Sequence, residues 1–264
     1  MKNYKKLKIT TLLTILLSFV NISSASSTIP FESTYVPMPQ TNTLFRGANI
    51  YDGEGNEFLD TDLLIKDGKI IALGKDLPAS SEFTVVDAAG KWITPGIIDI
   101  HSHMGVYSAP GVTTSSDGNE STSPVTADVW AEHSIWVQDP QFALALKGGI
   151  TSFHVLPGSA NLIGGRGVTA KNVQRNTINS MKFPNAPHSL KMACGENPKR
   201  VYGNKSQAPS TRMGNIAGYR KSWIKAEAYL SRLDEYESKS DEAKELGYKP
   251  TRDRARDTCW CIKG

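Results

Sequence analysis

Cysteine is scarce, with three residues in 264, which excludes a disulfide scaffold. Aromatics make up 8% and no long basic block runs through the chain, so a nucleic-acid module is not expected. No glycine-rich run ends in Gly-Lys-Ser or Gly-Lys-Thr, so there is no phosphate loop. Beyond residue 25 no apolar run approaches the roughly 20 residues that a membrane span requires. The formal charge of +4 carries little information, because Lys2, Lys5, Lys6 and Lys8 account for it within the first eight residues. What remains is an evenly charged chain with 39% hydrophobic residues. It is too apolar for disorder and long enough for one large domain or two ordinary ones.

Residues 1–25 open with those lysines, continue with an apolar run over residues 9–22, and end in Ser23-Ser24-Ala25. That order is the n-region, h-region and small-residue cleavage site of a secretory signal. The expected location is therefore periplasmic or secreted, with no stable membrane span after signal removal. Residues 26–42 carry Pro30, Pro37 and Pro39 without periodicity and read as an extended arm.

Over residues 43–94 short β-rich runs alternate with turn signals, which predicts a small antiparallel sheet domain. Asp67-Gly68, between Leu64-Ile65 and Ile70-Ile71, is the strongest hairpin signal in the chain. The pattern changes at Pro95-Gly96. Ile97-Ile98-Asp99-Ile100 reads as a strand buried on both faces. Residues 150–156 and 190–194 are two further strand candidates, and residues 140–147 look helical. Residues 214–246 place Ile216, Tyr219, Trp223, Ala226, Leu230, Leu233 and Tyr236 three or four apart, one stripe of a long helix. Strands separated by helical patterns predict an α/β fold with a parallel sheet or barrel over residues 95–250. Residues 251–264, with Cys259 and Cys261, form an irregular tail. One Cys-x-Cys without a second pair is poor evidence for a metal site.

The sharpest feature is Pro95-Gly-Ile-Ile-Asp-Ile-His101-Ser-His103-Met-Gly105. Residues i and i+2 of a strand share a face, so His101 and His103 project two imidazoles the same way. Neutral imidazole is a ligand for divalent metals such as zinc, and a strand end is where parallel β/α folds place their chemistry. Asp99 shares that face. The run Gly158-Ser-Ala-Asn161-Leu-Ile-Gly164-Gly165-Arg166-Gly167 either offers backbone amides and Arg166 to a substrate carboxylate or is a plain βα turn. His154, which ends the second strand candidate, either lines the site or is a satisfied buried histidine. His133 and His188 lie in helical or loop surroundings and read as structural.

In these segments the chain resembles the amidohydrolase superfamily, most closely its exported imidazolonepropionase-like branch. The resemblance covers roughly residues 43–215. It rests on VVDAAGKWITPGIIDIHSHMG, on GGITSFHVLPGSANLIGGRGV, and on LKMACGENPKRVYG followed by PSTRMGN. It implies a (β/α)8 TIM barrel flanked by a small β-sandwich, with one or two metal ions, usually zinc. It also implies hydrolysis of C–N bonds in amides, cyclic amides or peptide-like substrates by metal-activated water. His101 and His103 match the first-strand metal ligands. The implied later carboxylate comes from a Glu or a carboxylated Lys, and Glu196 and Lys191 are the candidates. Glu196 is preferred, because it falls at the carboxyl end of the third strand candidate while Lys191 falls near its start.

A (β/α)8 barrel takes about 250 residues. Here 169 residues follow Pro95 and hold three convincing strands, with no histidine after His188. The later histidines and the proton-shuttling Asp of the family have no matching positions. The expectation is an incomplete, N-terminal part of the barrel, a truncated fragment with little activity alone. The alternative is a non-catalytic metal- or partner-binding remnant that needs a separately encoded C-terminal half.

Overall fold

The computed structural model describes residues 31–247. The leader at 1–25, the start of the arm, and the tail at 251–264 with Cys259 and Cys261 lie outside the described residues.

Residues 31–42 form no regular element, as three prolines in and beside the arm suggest. They run beside residues 179–182, where Ser33 Oγ donates to Lys182 O at 2.8 Å and Thr34 N to Asn179 O at 2.9 Å.

The first sheet contains β1 (Thr43–Tyr51), β2 (Glu57–Lys66), β3 (Lys69–Gly74), β4 (Thr84–Asp87) and β5 (Trp92–Ile93). Its order is β3-β2-β1-β4, with β5 also on β1. The β2–β3 hairpin closes through Asp67 (φ 51°) and Gly68 (φ 72°), with Lys66 opposite Lys69. Two positive φ values in a two-residue loop are the type I′ geometry, whose twist matches the strands it joins. The sheet is mixed and not antiparallel throughout as expected, because β4 and β5 return to pair with β1 in parallel. Ala48, Ile50, Leu63 and Ala88 form its core, with Phe45, Phe58, Ile65 and Ile93 packed against them. Among the described residues these strands form one sheet, so a sandwich is not seen.

After Pro95 the chain forms β6 (Ile97–Ser102), α1 (Pro140–Lys147), β7 (Ile150–Val155), β8 (Ile163–Arg166), β9 (Val168–Lys171) and β10 (Leu190–Met192). Strands β6 and β7 pair in parallel across α1, as a βα unit should. The third strand candidate behaves differently. β10 is antiparallel to β8 in a separate two-stranded sheet, while β9 turns back antiparallel onto β7. The expected β6 core strand is also exposed, with Ile97 54%, Ile98 64% and Ile100 78% accessible. β6 ends the order β6-β7-β9, so its second edge pairs with no strand among the described residues. The core gathers instead around Met104, Val106, Phe142, Phe153, Val155, Val168, Ala170 and Met181.

Two features bring β8 and its neighbours together. Residues 125 and 130 make parallel bridges to Ile163 and Arg166, so β8 is flanked on both edges. Gly165 sits between them at φ 113°, where an added Cβ would lie 2.4 Å from Val129 O. Both the backbone angle and the space require glycine. Gly165→Ala is expected to cost about 2–4 kcal/mol in a urea titration. An unchanged midpoint would show that β8 can relax away from Val129.

The long helical stripe is split into α3 (Arg212–Glu237) and α4 (Asp241–Leu246), preceded by α2 (Glu196–Gly203). Ser240 caps α4 by accepting from Ala243 N, and Asp241 and Glu242 sit in its first turn. That favours a new helix start over continuation. Ala226 and Tyr229 are buried on α3, with Leu230 and Leu233 against them. Ile216, expected in the stripe, is 58% exposed, because Asn215 takes the inward position and donates to Gly195 O. No helix among the described residues is long and apolar enough to cross a membrane.

Candidate metal centre

The end of β6 delivers His101 and, just past it, His103, with ring centroids 5.2 Å apart and nearly perpendicular planes. The turn that follows is fixed by Asp139, a buried residue that sequence reasoning did not single out. Its carboxylate accepts from Gly105 N and Ala109 N and also caps α1 at Gln141 N. One side chain thus ties the turn after His103 to the start of α1. An Asp directly before Pro, at the head of a helical pattern, was the available signal.

His103 Nδ1 lies 2.8 Å from Leu156 O. Since a carbonyl only accepts, Nδ1 is the donor in this contact, so in the neutral ring the free lone pair is on Nε2. This is the arrangement a metal-binding histidine needs, with the second ring nitrogen held by a backbone carbonyl. His101 Nε2 faces Lys191 Nζ at 3.2 Å. The Lys191 ammonium, then burial, then His103 hold the His101 imidazole below its ordinary pKa, and burial likewise lowers Lys191.

The structure therefore brings Lys191, and not Glu196, to the histidines. Lys191 is buried, opposite Gly165 on the short strand β10. Glu196 opens α2, exposed, and pairs with Arg200 at 2.7 Å. Arg166 is 3% exposed, with its guanidinium 4.7 Å from the centroid of Trp130 and not displayed on an open glycine loop. The expected loop is largely strand β8. His154 has both ring nitrogens engaged, by Thr169 Oγ1 at 2.9 Å and Ser189 Oγ at 2.6 Å. Burial, His188 and His101, in that order, lower its pKa. Asp99 turns back to accept from His101 N.

A cleft of about 430 Å3 lies nearby, lined by none of His101, His103 and Lys191 themselves. Val106, Trp130, Ala131 and Pro157 line it, with Asp117, Asn119 and Glu120 at polar positions. It adjoins the histidines through Tyr107, whose ring centroid is 5.6 Å from that of His103 and whose hydroxyl meets Asn119. It adjoins Lys191 through Gly164, where a Cβ would lie 3.7 Å from Lys191 Cγ. Among the described residues, no three His, Cys, Asp or Glu side chains cluster as a complete metal site.

A further cluster was read from sequence only as structural histidines. Glu132, 2% exposed at its side chain, receives Lys182 Nζ at 2.7 Å and His188 Nε2 at 3.0 Å. His188 also packs edge-on against Trp130.

No family model matches the chain. Over 231 residues, 78% of this chain, it is 33% identical to Amidohydrolase tasK of Hapsidospora irregularis, and the match spans 23% of that protein. A 63-residue stretch is 41% identical to a dihydroorotase of Geotalea daltonii, covering 24% of this chain and 15% of the relative. Among solved structures, an amidohydrolase from Thermotoga maritima superposes with a TM-score of 0.72 at 35% identity. That match covers 83% of this chain and 55% of the Thermotoga chain. The chain belongs to the amidohydrolase superfamily. It spans about half of the matched solved structure and under a quarter of the curated relatives cited.

Proposed function

We propose that this chain carries the first metal ligands and part of the substrate recess of an exported hydrolase acting on C–N bonds. The observation that carries the reading is the pair His101 and His103 at one strand end, with Lys191 facing His101 beside a cleft. Two imidazoles, one with its tautomer set by Leu156 O, fit a divalent ion, most simply zinc. Lys191 in its carboxylated form would supply the oxygen ligand, and its place 3.2 Å from His101 supports it over Glu196. When bound, the ion lowers the pKa of water to about 7 and polarises the substrate carbonyl.

The chain's own residues orient the reactants. Asp139 fixes the turn after His103 and Leu156 O holds the His103 ring, and the cleft from Val106 to Pro157 receives a small amide, cyclic amide or peptide-like substrate. A cleft of about 430 Å3 lies in the range that small molecules occupy. The fold we infer around it is an incomplete TIM barrel with the β-rich sheet as part of a flanking sandwich.

The chain by itself is expected to turn over amides poorly. Two histidines reach three protein ligands only once Lys191 is carboxylated, and among the described residues no further His, Cys, Asp or Glu joins them to act as the base of a typical catalytic centre. Lack of a general base alone costs about 10²–10⁴ in rate. The test is to load the purified chain with zinc and assay a panel of dipeptides and cyclic amides. Zinc-dependent turnover abolished by His101→Ala would show a working site and overturn the low-activity reading. Export is tested separately. The secreted chain should have the mass that begins at Ser26, and an intact Met1 there would contradict a cleaved signal.

A further inference from the structure

We infer that His154 is a positioning residue that sets Lys191 against His101, a role that rests on the metal-site reading above. His101 and His103 stand on β6 of the three-stranded sheet, whereas Lys191 stands on β10 of the separate two-stranded sheet. Something must hold the two sheets in register at this point. His154 on β7 is directly opposite Thr169 on β9, and its Nδ1 bonds the Thr169 hydroxyl across that pair. Its Nε2 reaches out of the sheet to Ser189 Oγ at 2.6 Å. Ser189 is two residues before Lys191, so in extended chain the two side chains point the same way.

Ser189 is held from the other side as well, since its carbonyl accepts from Gly167 N at 3.1 Å. An added Cβ at Gly167 would lie 2.5 Å from Ser189 Oγ and 2.8 Å from His154 Nε2. The chain between β8 and β9 thus passes directly over the pair. The chain Thr169–His154–Ser189 pins the segment entering β10 to the sheet that carries the histidines, and Lys191 is aimed by that pin. Half-buried and engaged at both ring nitrogens, His154 acts through Lys191.

The experiment measures zinc affinity of the full chain by competition with a chromophoric chelator, with circular dichroism and thermal melts alongside. His154→Ala is expected to weaken zinc about 10–100-fold, the usual effect of removing a side chain that orients a ligand. His154→Gln, which keeps a hydrogen-bonding tip, should recover part of that loss. In a Lys191→Ala background, His154→Ala should change affinity by less than about twofold, because the residue it orients is gone. Should His154→Ala fail to fold, Ser189→Ala removes the same link without emptying the imidazole site, and should weaken zinc in the same direction. Wild-type zinc affinity in the folded His154→Ala or the Ser189→Ala variant, or an equal loss with Lys191 absent, would overturn the inference. Zinc binding indifferent to His101→Ala/His103→Ala would instead sink the ligand assignment itself.

Discussion

Changing both His101 and His103 to Ala is expected to lower zinc affinity by more than about 100-fold, beyond the 10–100-fold cost of losing a supporting residue. The two rings are the only imidazoles that β6 and its following turn bring together, 5.2 Å apart between centroids. The fold should survive the change. His101 is exposed, and the turn after His103 is held by Asp139 through backbone amides that the substitution leaves in place. Removing His103 releases its hydrogen bond to Leu156 O and its ring contact with Tyr107. Bound zinc unchanged in the double variant would mean that the metal sits elsewhere.

The largest loss of stability is expected from Glu132→Ala, about 3–5 kcal/mol in a denaturant titration. Glu132, Lys182 and His188 have side chains only 2%, 5% and 5% exposed, so removing the carboxylate strands a buried ammonium beside a buried imidazole. The damage should spread to the arm, because Lys182 Nζ also donates to Phe31 O and its own carbonyl accepts from Ser33. The same group sets an acid limit. Burial alone would raise the Glu132 carboxyl, but hydrogen bonds from His188 and Lys182 outweigh it and leave the pKa below the ordinary 4.5. A carboxylate with a depressed folded-state pKa stabilises the fold above its unfolded value and loses that contribution as pH falls through the folded one. Stability from this cluster should therefore be full at neutral pH and decline below about pH 4.5. In Glu132→Ala that part of the acid limb should vanish. An acid profile identical to wild type would assign the limb to another group, such as Asp62, whose carboxyl is held low against burial by hydrogen bonds from Gly47 N, Leu77 N and Arg46.

Short-range patterns were legible and long-range pairing was not. Asp67-Gly68 specifies its hairpin because two positive φ values are a local property of those residues. Helix α1 runs over Pro140–Lys147 as expected, since Asp139 and Pro140 mark its start chemically. His-x-His announces itself because two residues on one strand share a face whatever that strand pairs with. Lys191 is named only through the resemblance, and there behind Glu196. Its position depends on β10 being three residues long and joining β8 antiparallel, and neither fact is written in the alternation of residues 190–194. The Glu132–Lys182–His188 cluster joins positions 50 and 56 apart, and no periodicity links them. The apolar run of β6 gave the strand but not its burial, because burial is decided by what lies against its open edge.

The measurement that bears most directly on the account is zinc K-edge X-ray absorption on the zinc-loaded chain. The account predicts two imidazole nitrogens at about 2.0–2.1 Å with the remaining positions filled by oxygen, and no sulfur. The imidazole signal should be lost in His101→Ala/His103→Ala. A zinc–sulfur distance near 2.3 Å, or a spectrum without imidazole in the wild-type chain, would contradict it.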